Sequence, residues 1–404
     1  MNKLSEYREQ LREQILEQVD FSKEMTDAEI QELIDTQVLM QSRKWRLSLE
    51  DRKQLRKELF YAIRKLDLLQ ELLETPAITE IMINGTEHIF VEKEGVLSEL
   101  AVHFESVEKL NQIIQQIVAA CNRVVNEASP IVDARLAGGE RVNVVLSPVA
   151  LNGPIITIRR FPDKPITMQE LLERESINEE VCNWLGRLVK AGYNILISGG
   201  TGSGKTTFLN VLAEFITRQE RVITIEDSAE LQIRNIPNLV SLETRNANVE
   251  GCRPITMRDL IKTALRMRPD RLLIGEVRGG EAVDMLQALN TGHSCMSTGH
   301  ANSATDMLSR LETMTLMGMD LPLAAVRKQI VSAIDVIVHL GRMRDKSRRV
   351  LEIVEVLDYV DGEIQIKPIY QFEEQDSLSN KVQGVLVKKG ELQHVEKLKA
   401  AGLY

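Results

Sequence analysis

The chain has 404 residues, 43% apolar and 27% charged, with a net charge of −9 and a sequence pI near 5.5. Its length predicts two or three domains, and its acidic balance argues against duplex nucleic acid, which needs a basic face. No apolar run reaches the ~18–20 residues of a membrane helix, and the opening MNKLSEYREQLREQ lacks the apolar core of a secretory signal.

Residues 1–65 are charged and poor in Gly and Pro, with Leu55, Leu59, Ile63 and Leu66 at helical spacing. They predict an N-terminal helical domain for packing or oligomer contacts. Residues 66–162 change texture. EIMINGTEHIFVEKEGVLSEL places Asn84-Gly85 and Glu94-Gly95 between short apolar runs, the mark of a strand meander. SVEKLNQIIQQIVAAC then puts Val107, Leu110, Ile113, Ile114, Ile117, Val118 and Cys121 on one helix face. RVNVVLSPVALNGPIITIRRF reads as two strands joined around Asn152-Gly153. This is a small α/β domain, and FPDKPITM, with Pro162 and Pro165, predicts a linker over 163–172. Residues 173–370 alternate short apolar strands with helices, as at ILIS, VITI and LLIG, which predicts a largely parallel sheet with ligands at the carboxyl ends of its strands. The tail, 371–404, is polar and low in pattern and receives no role.

Cys121, Cys182, Cys252 and Cys295 form no CxxC pair, so structural zinc and disulfides are not expected and a reducing cytoplasm fits. ISGGTGSGKTT satisfies the phosphate-loop pattern between an apolar strand and a helical run. In it, Gly199, Gly200, Thr201, Gly202, Ser203 and Gly204 supply backbone N–H groups to phosphate oxygens. Lys205 is placed to neutralise the β- and γ-phosphates of ATP, Thr206 to ligate Mg2+, and Thr207 opens the helix behind them. VITIEDSAEL delivers Glu226, Asp227 and Glu230 at a strand end, one crossover helix beyond the loop.

RPDRLLIGEVRGGE ends a buried strand on Glu276, the candidate to polarise the attacking water. Gly275 stands where many ATP-driven motors carry an Asp for magnesium, so another group must help hold the metal. TGHSCMSTGHANSA holds His293 and His300, read as sensors near the γ-phosphate rather than zinc ligands, because no further ligand lies at zinc spacing. Arg135, Arg141, Arg159 and Arg160, and then Arg245, Arg258, Arg266, Arg268 and Arg278, are candidates for phosphate contact, one or two of them as a group.

In this order and spacing, the phosphate loop, TIEDSAEL, LLIGE and GHSCMSTGHAN resemble the secretion-superfamily ATPases of type II secretion, type IV pili and type IV secretion, over roughly residues 70–360. The resemblance implies a RecA-like ATPase domain preceded by a small PAS-like α/β domain. It implies Glu276 as catalytic base, Glu226 holding metal-bound water, and Arg141 and Arg159 near the γ-phosphate, with Asp227 and Glu230 as further acids. LETRNANVEG, ALRMRPDRLLIGEVRGGEA and the helical extension are most similar to the CpaF group of tight-adherence (Flp) pilus assembly ATPases. Gly299 and Cys295-Met296 depart from that pattern. A homohexamer is implied, with nucleotide between its two main domains, working at the cytoplasmic face of the membrane on polytopic inner-membrane platform proteins. A RecA-like nucleic-acid-dependent ATPase, a nucleotide-binding switch with little turnover and a small-molecule kinase are the alternatives. The acidic pI and an aromatic content of 4% disfavour the first of these. Lys205, Glu226, Glu276 and His300 together disfavour the second, and the lack of a separate acceptor-binding segment disfavours the third.

Overall fold

A computed structural model describes residues 3–18, 25–42, 44–93, 95–160, 165–245, 253–375 and 380–404. The expected turn residue Glu94, residues 161–164 at the start of the expected linker, the whole NANVEG stretch and Cys252 lie outside them. The chain divides into two compact units, Met1–Asp163 and Lys164–Tyr404.

In the first unit, α1 (Lys3–Leu16), α2 (Asp27–Ser42) and α3 (Leu49–Arg64) close around Leu11, Ile15, Ile30, Ile34, Val38, Leu55 and Leu59. The one-turn spacing of Leu55 and Leu59 puts both on one helix face, and a capping box of Ser48 and Asp51 starts that helix. Helix α4 (Leu68–Glu74) leads into β1 (Ile78–Asn84), β2 (His88–Lys93), β3 (Val96–Glu99), α5 (Val107–Ala120), β4 (Ile131–Arg135), β5 (Arg141–Val145) and β6 (Ile155–Arg159). The strands form one antiparallel sheet in the order β3-β2-β1-β6-β5-β4. Its two Asn-Gly turns meet back to back: Gly85 has φ +70°, and a Cβ there would stand 2.6 Å from the Asn152 carbonyl oxygen. Only glycine meets both demands. Leu110, Ile113, Ile114, Ile117 and Val118 of α5 are buried as expected. Val107, in the first turn, is 44% exposed, and Cys121 is the residue that caps the helix end.

The second unit runs α6 (Met168–Glu173), α7 (Glu179–Lys190), β7 (Ile195–Gly199), α8 (Lys205–Ala213), β8 (Val222–Glu226), β9 (Leu239–Glu243), α9 (Met257–Ala264) and β10 (Arg271–Ile274). It continues through α10 (Ala282–Asn290), β11 (Ser294–His300), α11 (Ala304–Gly318), α12 (Leu323–Ala333), β12 (Val336–Arg342), β13 (Arg348–Val360), β14 (Glu363–Glu374), β15 (Gly384–Lys388) and α13 (Glu396–Ala400). The sheet order is β15-β14-β13-β12-β7-β11-β10-β8-β9. From β12 to β9 neighbouring strands are parallel, and β13 to β15 extend the sheet antiparallel. The central strands read as unbroken apolar runs because helices cover both faces. Ile195, Ile197, Val222 and Leu273 point into one core, and Leu196, Ile223, Ile225, Leu272 and Ile274 into the other.

Two boundaries differ from the sequence expectation. Helix α6 takes up the second half of the expected linker, runs one residue past its end and buries Leu171 in the core of the second unit. The described part of the tail is structured: the end of β14 and all of β15 belong to the sheet, Val382 and Leu398 are buried, and the Tyr193 hydroxyl donates to the His394 carbonyl at 2.6 Å. Its polar composition reflects a half-exposed edge strand and a short helix that buries Leu398. Among the described residues, no helix is long and apolar enough to cross a membrane.

Candidate active site

The site forms where β7, β8, β10 and β11 end. The loop from Gly199 to Gly204 joins β7 to α8, and Gly202 (φ +71°) and Gly204 (φ +92°) take left-handed conformations that turn backbone N–H groups inward. Lys205 opens α8 and is buried, at 7% exposure. Its ammonium donates to the Gly199 and Gly200 carbonyls, both at 3.1 Å, and meets Nδ1 of His300 at 3.2 Å. Burial pulls the lysine pKa down, against the pull of Glu276. Thr206 and Thr207 follow in the first turn of α8.

Strand pairing brings the acids together. Parallel β8 and β10 put Ile225 beside Ile274, so both strands end at one edge. Glu226 is 3% exposed, and its Oε1 accepts from the Glu230 and Leu231 N–H groups at 2.8 and 3.0 Å. Burial pushes its carboxyl up to about 7, against those two amides. Gly275 leaves the space that Glu226 fills: a Cβ at 275 would stand 2.9 Å from the Glu226 Cγ.

Glu276 has a basic neighbour at each oxygen. Arg278 donates from Nε at 2.9 Å and from a terminal nitrogen at 2.6 Å, both to Oε2. His300, at the end of β11, brings Nε2 to 2.8 Å from Oε1. The approach is off the hydrogen-bond line, and Oε1 is buried with no hydrogen bond among the described residues. Lysine can only donate, so Nδ1 of His300 accepts; the network thus assigns the imidazole proton to Nε2, facing Glu276. Burial pulls the His300 pKa down against the nearby carboxylate, which favours this neutral form. The arrangement links the phosphate-loop lysine, through one imidazole, to the Glu276 carboxylate.

The sequence reading missed the β12–β13 hairpin. Nε of Arg348 donates to the Gly202 carbonyl at 2.9 Å, and Arg342 stands 3.6 Å from a Cβ built on Gly202. A cavity of about 360 Å³ lies between loop and hairpin, lined by Ser203, Gly204, Thr207, Phe208, Lys346, Ser347, Arg348 and Val350, with Ile166, Leu171 and Leu340 among its apolar walls. Among the described residues, none that lines it is a carboxylate.

A sequence model of the family described as "Type II/IV secretion system protein" matches residues 63–384. The chain belongs to that family. It is 33% identical over 315 residues to the conjugal transfer protein TrbB of Rhizobium radiobacter, covering 76% of this chain and 93% of the relative. It is 32% identical over 316 residues to the type IV secretion system protein PtlH of Bordetella pertussis, covering 71% and 93%. In fold it is similar to the Legionella pneumophila ATPase DotB (TM-score 0.52, 20% identity, 73% of this chain and 81% of that one). It is equally similar to the pilus retraction motor PilT with bound ADP (TM-score 0.52, 20% identity, 75% and 81%). The α/β fold expected from the sequence is thereby shown.

In this type II/IV secretion system protein, Lys205, Glu276 and His300 converge, and Glu226 comes to the adjoining strand end. His293 does not join them. It precedes β11, whose seven residues place it about 20 Å from His300, and it bonds the end of α10 through the Ala288 carbonyl at 3.3 Å. Two histidines in one segment cannot share an end when a strand of that length separates them. Arg141 and Arg159 face each other on β5 and β6 of the first unit, where Arg159 pairs with Glu80 at 2.8 Å. Arg160 donates to backbone carbonyls within that unit, including Ile78 at 3.1 Å. Arg258 has a structural role, pairing with the buried Asp284 at 2.5 Å. Asp227 and Glu230 lie in the loop that Glu226 anchors.

Proposed function

We propose that this chain is a cytoplasmic ATP hydrolase working as a homohexamer at the inner face of the membrane. In this reading it drives Flp-type pilus assembly or protein secretion through polytopic platform proteins, as the likeness to the CpaF group suggests. The observation that carries the reading is the pairing of Lys205 with Glu276 through His300, at a phosphate loop. A carboxylate placed there is suited to accept a proton from the attacking water once nucleotide draws Lys205 away. Lys205 exchanges its carbonyl and imidazole partners for β- and γ-phosphate oxygens, and His300 carries that change to Glu276. The loop from Gly199 to Gly204 wraps the phosphates, and the cavity beside it receives base and ribose. Arg141 and Arg159 are proposed anion contacts on the resemblance alone.

The donor set fits Mg2+. A hard cation takes oxygen ligands and keeps several waters, so a hydroxyl, phosphates and one or two acids suffice. No group of three or more protein ligands occurs among the described residues; Thr206 would hold the ion directly, and Glu226 through water, with Asp227 and Glu230 as further acids. When bound, Mg2+ neutralises the charge that develops on the transferred phosphoryl group. Steady-state hydrolysis by the full chain tests the proposal. Turnover that requires Mg2+ and ignores single-stranded DNA supports it. Turnover only with DNA, falling steeply with salt, would replace it with a nucleic-acid motor.

A further inference from the structure

We propose that Gly275 is a positioning residue: its missing side chain is the slot in which Glu226 lies, so that an acid from β8 occupies the place of a side chain on β10. The proposal rests on the reading of Glu226 as the acid that orients metal-bound water.

The backbone does not explain a glycine at this position. Gly275 is outside the left-handed region that glycines 199, 202 and 204 occupy. Space explains it. A Cβ at 275 would lie 2.9 Å from Cγ of Glu226, 3.4 Å from its Oε1 and 3.5 Å from its Cβ. The Glu226 side chain therefore runs across the bare face of Gly275 along its whole length. It has no room to give way, being 3% exposed and bonded at its tip to the Glu230 and Leu231 amides. Gly275 is fixed as well. Its N–H donates to the Ile225 carbonyl at 2.9 Å, and its carbonyl accepts from the Thr298 hydroxyl at 2.7 Å. Any side chain at 275 thus pushes Glu226 off its two amides and releases the acidic loop. The two carboxylate roles are divided between neighbouring strands, and the glycine before Glu276 makes that division fit.

The test is a double-mutant cycle of Gly275→Ala and Glu226→Ala in the full chain, with Glu226→Asp as the size rescue. Without nucleotide, Gly275→Ala is expected to speed hydrogen exchange at the Glu230 and Leu231 amides about tenfold, as loss of their shared acceptor requires. Glu226→Asp, one methylene shorter, restores part of that protection when combined with Gly275→Ala. The Gly275→Ala change lowers the unfolding midpoint when position 226 keeps its glutamate and leaves it in place when Glu226→Ala is also present. With nucleotide, Gly275→Ala raises the Mg2+ midpoint for ADP binding and lowers kcat about 10²-fold, the cost of a misplaced group. Unchanged exchange at both amides, or an equal loss of stability in both backgrounds, overturns the slot. Altered exchange with an unmoved Mg2+ midpoint supports the slot and overturns only the metal reading of Glu226.

Discussion

Replacing Glu226 by Gln should change how stability depends on pH. The carboxyl is buried, and it keeps its proton to about 7 in the folded protein, against 4.5 ordinarily. Below the ordinary value both states are protonated and the residue's contribution is fully present. As pH rises toward 7 the unfolded chain ionises freely while the folded one resists, so stability falls. At about 1.4 kcal/mol per pH unit, the whole window costs the native state about 3 kcal/mol, and the part from pH 5.5 to 7 about 2 kcal/mol. Gln keeps the two backbone bonds through its carbonyl oxygen and does not titrate. The difference between variant and wild type should therefore grow by about 2 kcal/mol in the variant's favour from pH 5.5 to 7.5. Urea unfolding in a Trp45→Phe background reads this cleanly, because Trp184 then reports the second unit, where it is buried against Tyr370. A difference that stays flat across this range would refute the claim that burial holds the proton on Glu226.

Arg348→Ala removes the hairpin's contact with the Gly202 carbonyl. It should weaken ADP binding about tenfold, with little change in the unfolding midpoint; titration of a fluorescent ADP analogue measures it, and an unchanged Kd would remove the hairpin from the site. Among the described residues, Arg258→Ala leaves the buried Asp284 with Lys262 at 3.5 Å as its one ion-pair partner. Since Arg258 is itself partly exposed, a loss of about 2 kcal/mol is expected by urea denaturation, recovered in part by adding Asp284→Asn.

The sequence carried the local features well. A phosphate loop, its strand and its helix are contiguous, so ISGGTGSGKTT announced its own fold. Glu226 and Glu276 were legible because each ends an apolar strand, and the parallel sheet brings such ends together. What the sequence concealed depends on distant packing. Arg342 and Arg348 reach the loop only because β12 and β13 pair antiparallel and β12 lies beside β7. Residues 382–398 looked featureless because their order comes from single buried anchors, Val382 and Leu398, and from bonds such as that of Lys397 to Asp335 at 2.5 Å. His293 misled because proximity in sequence is not proximity along a strand. Gly275 first read as a missing acid; the neighbouring side chain that fills the gap lies far away in the chain and could not be read from residue order.

The most direct test of the proposed chemistry is Glu276→Gln, assayed for ATP binding and for turnover under the same conditions. Gln preserves the shape of the side chain and its place beside Lys205 and His300, but cannot take a proton from water. The expected result is an ATP Kd close to that of the wild type, with kcat lower by about 10²–10⁴-fold. Wild-type turnover in this variant would contradict the assignment of Glu276 as the base and, with it, the hydrolytic mechanism proposed for this site.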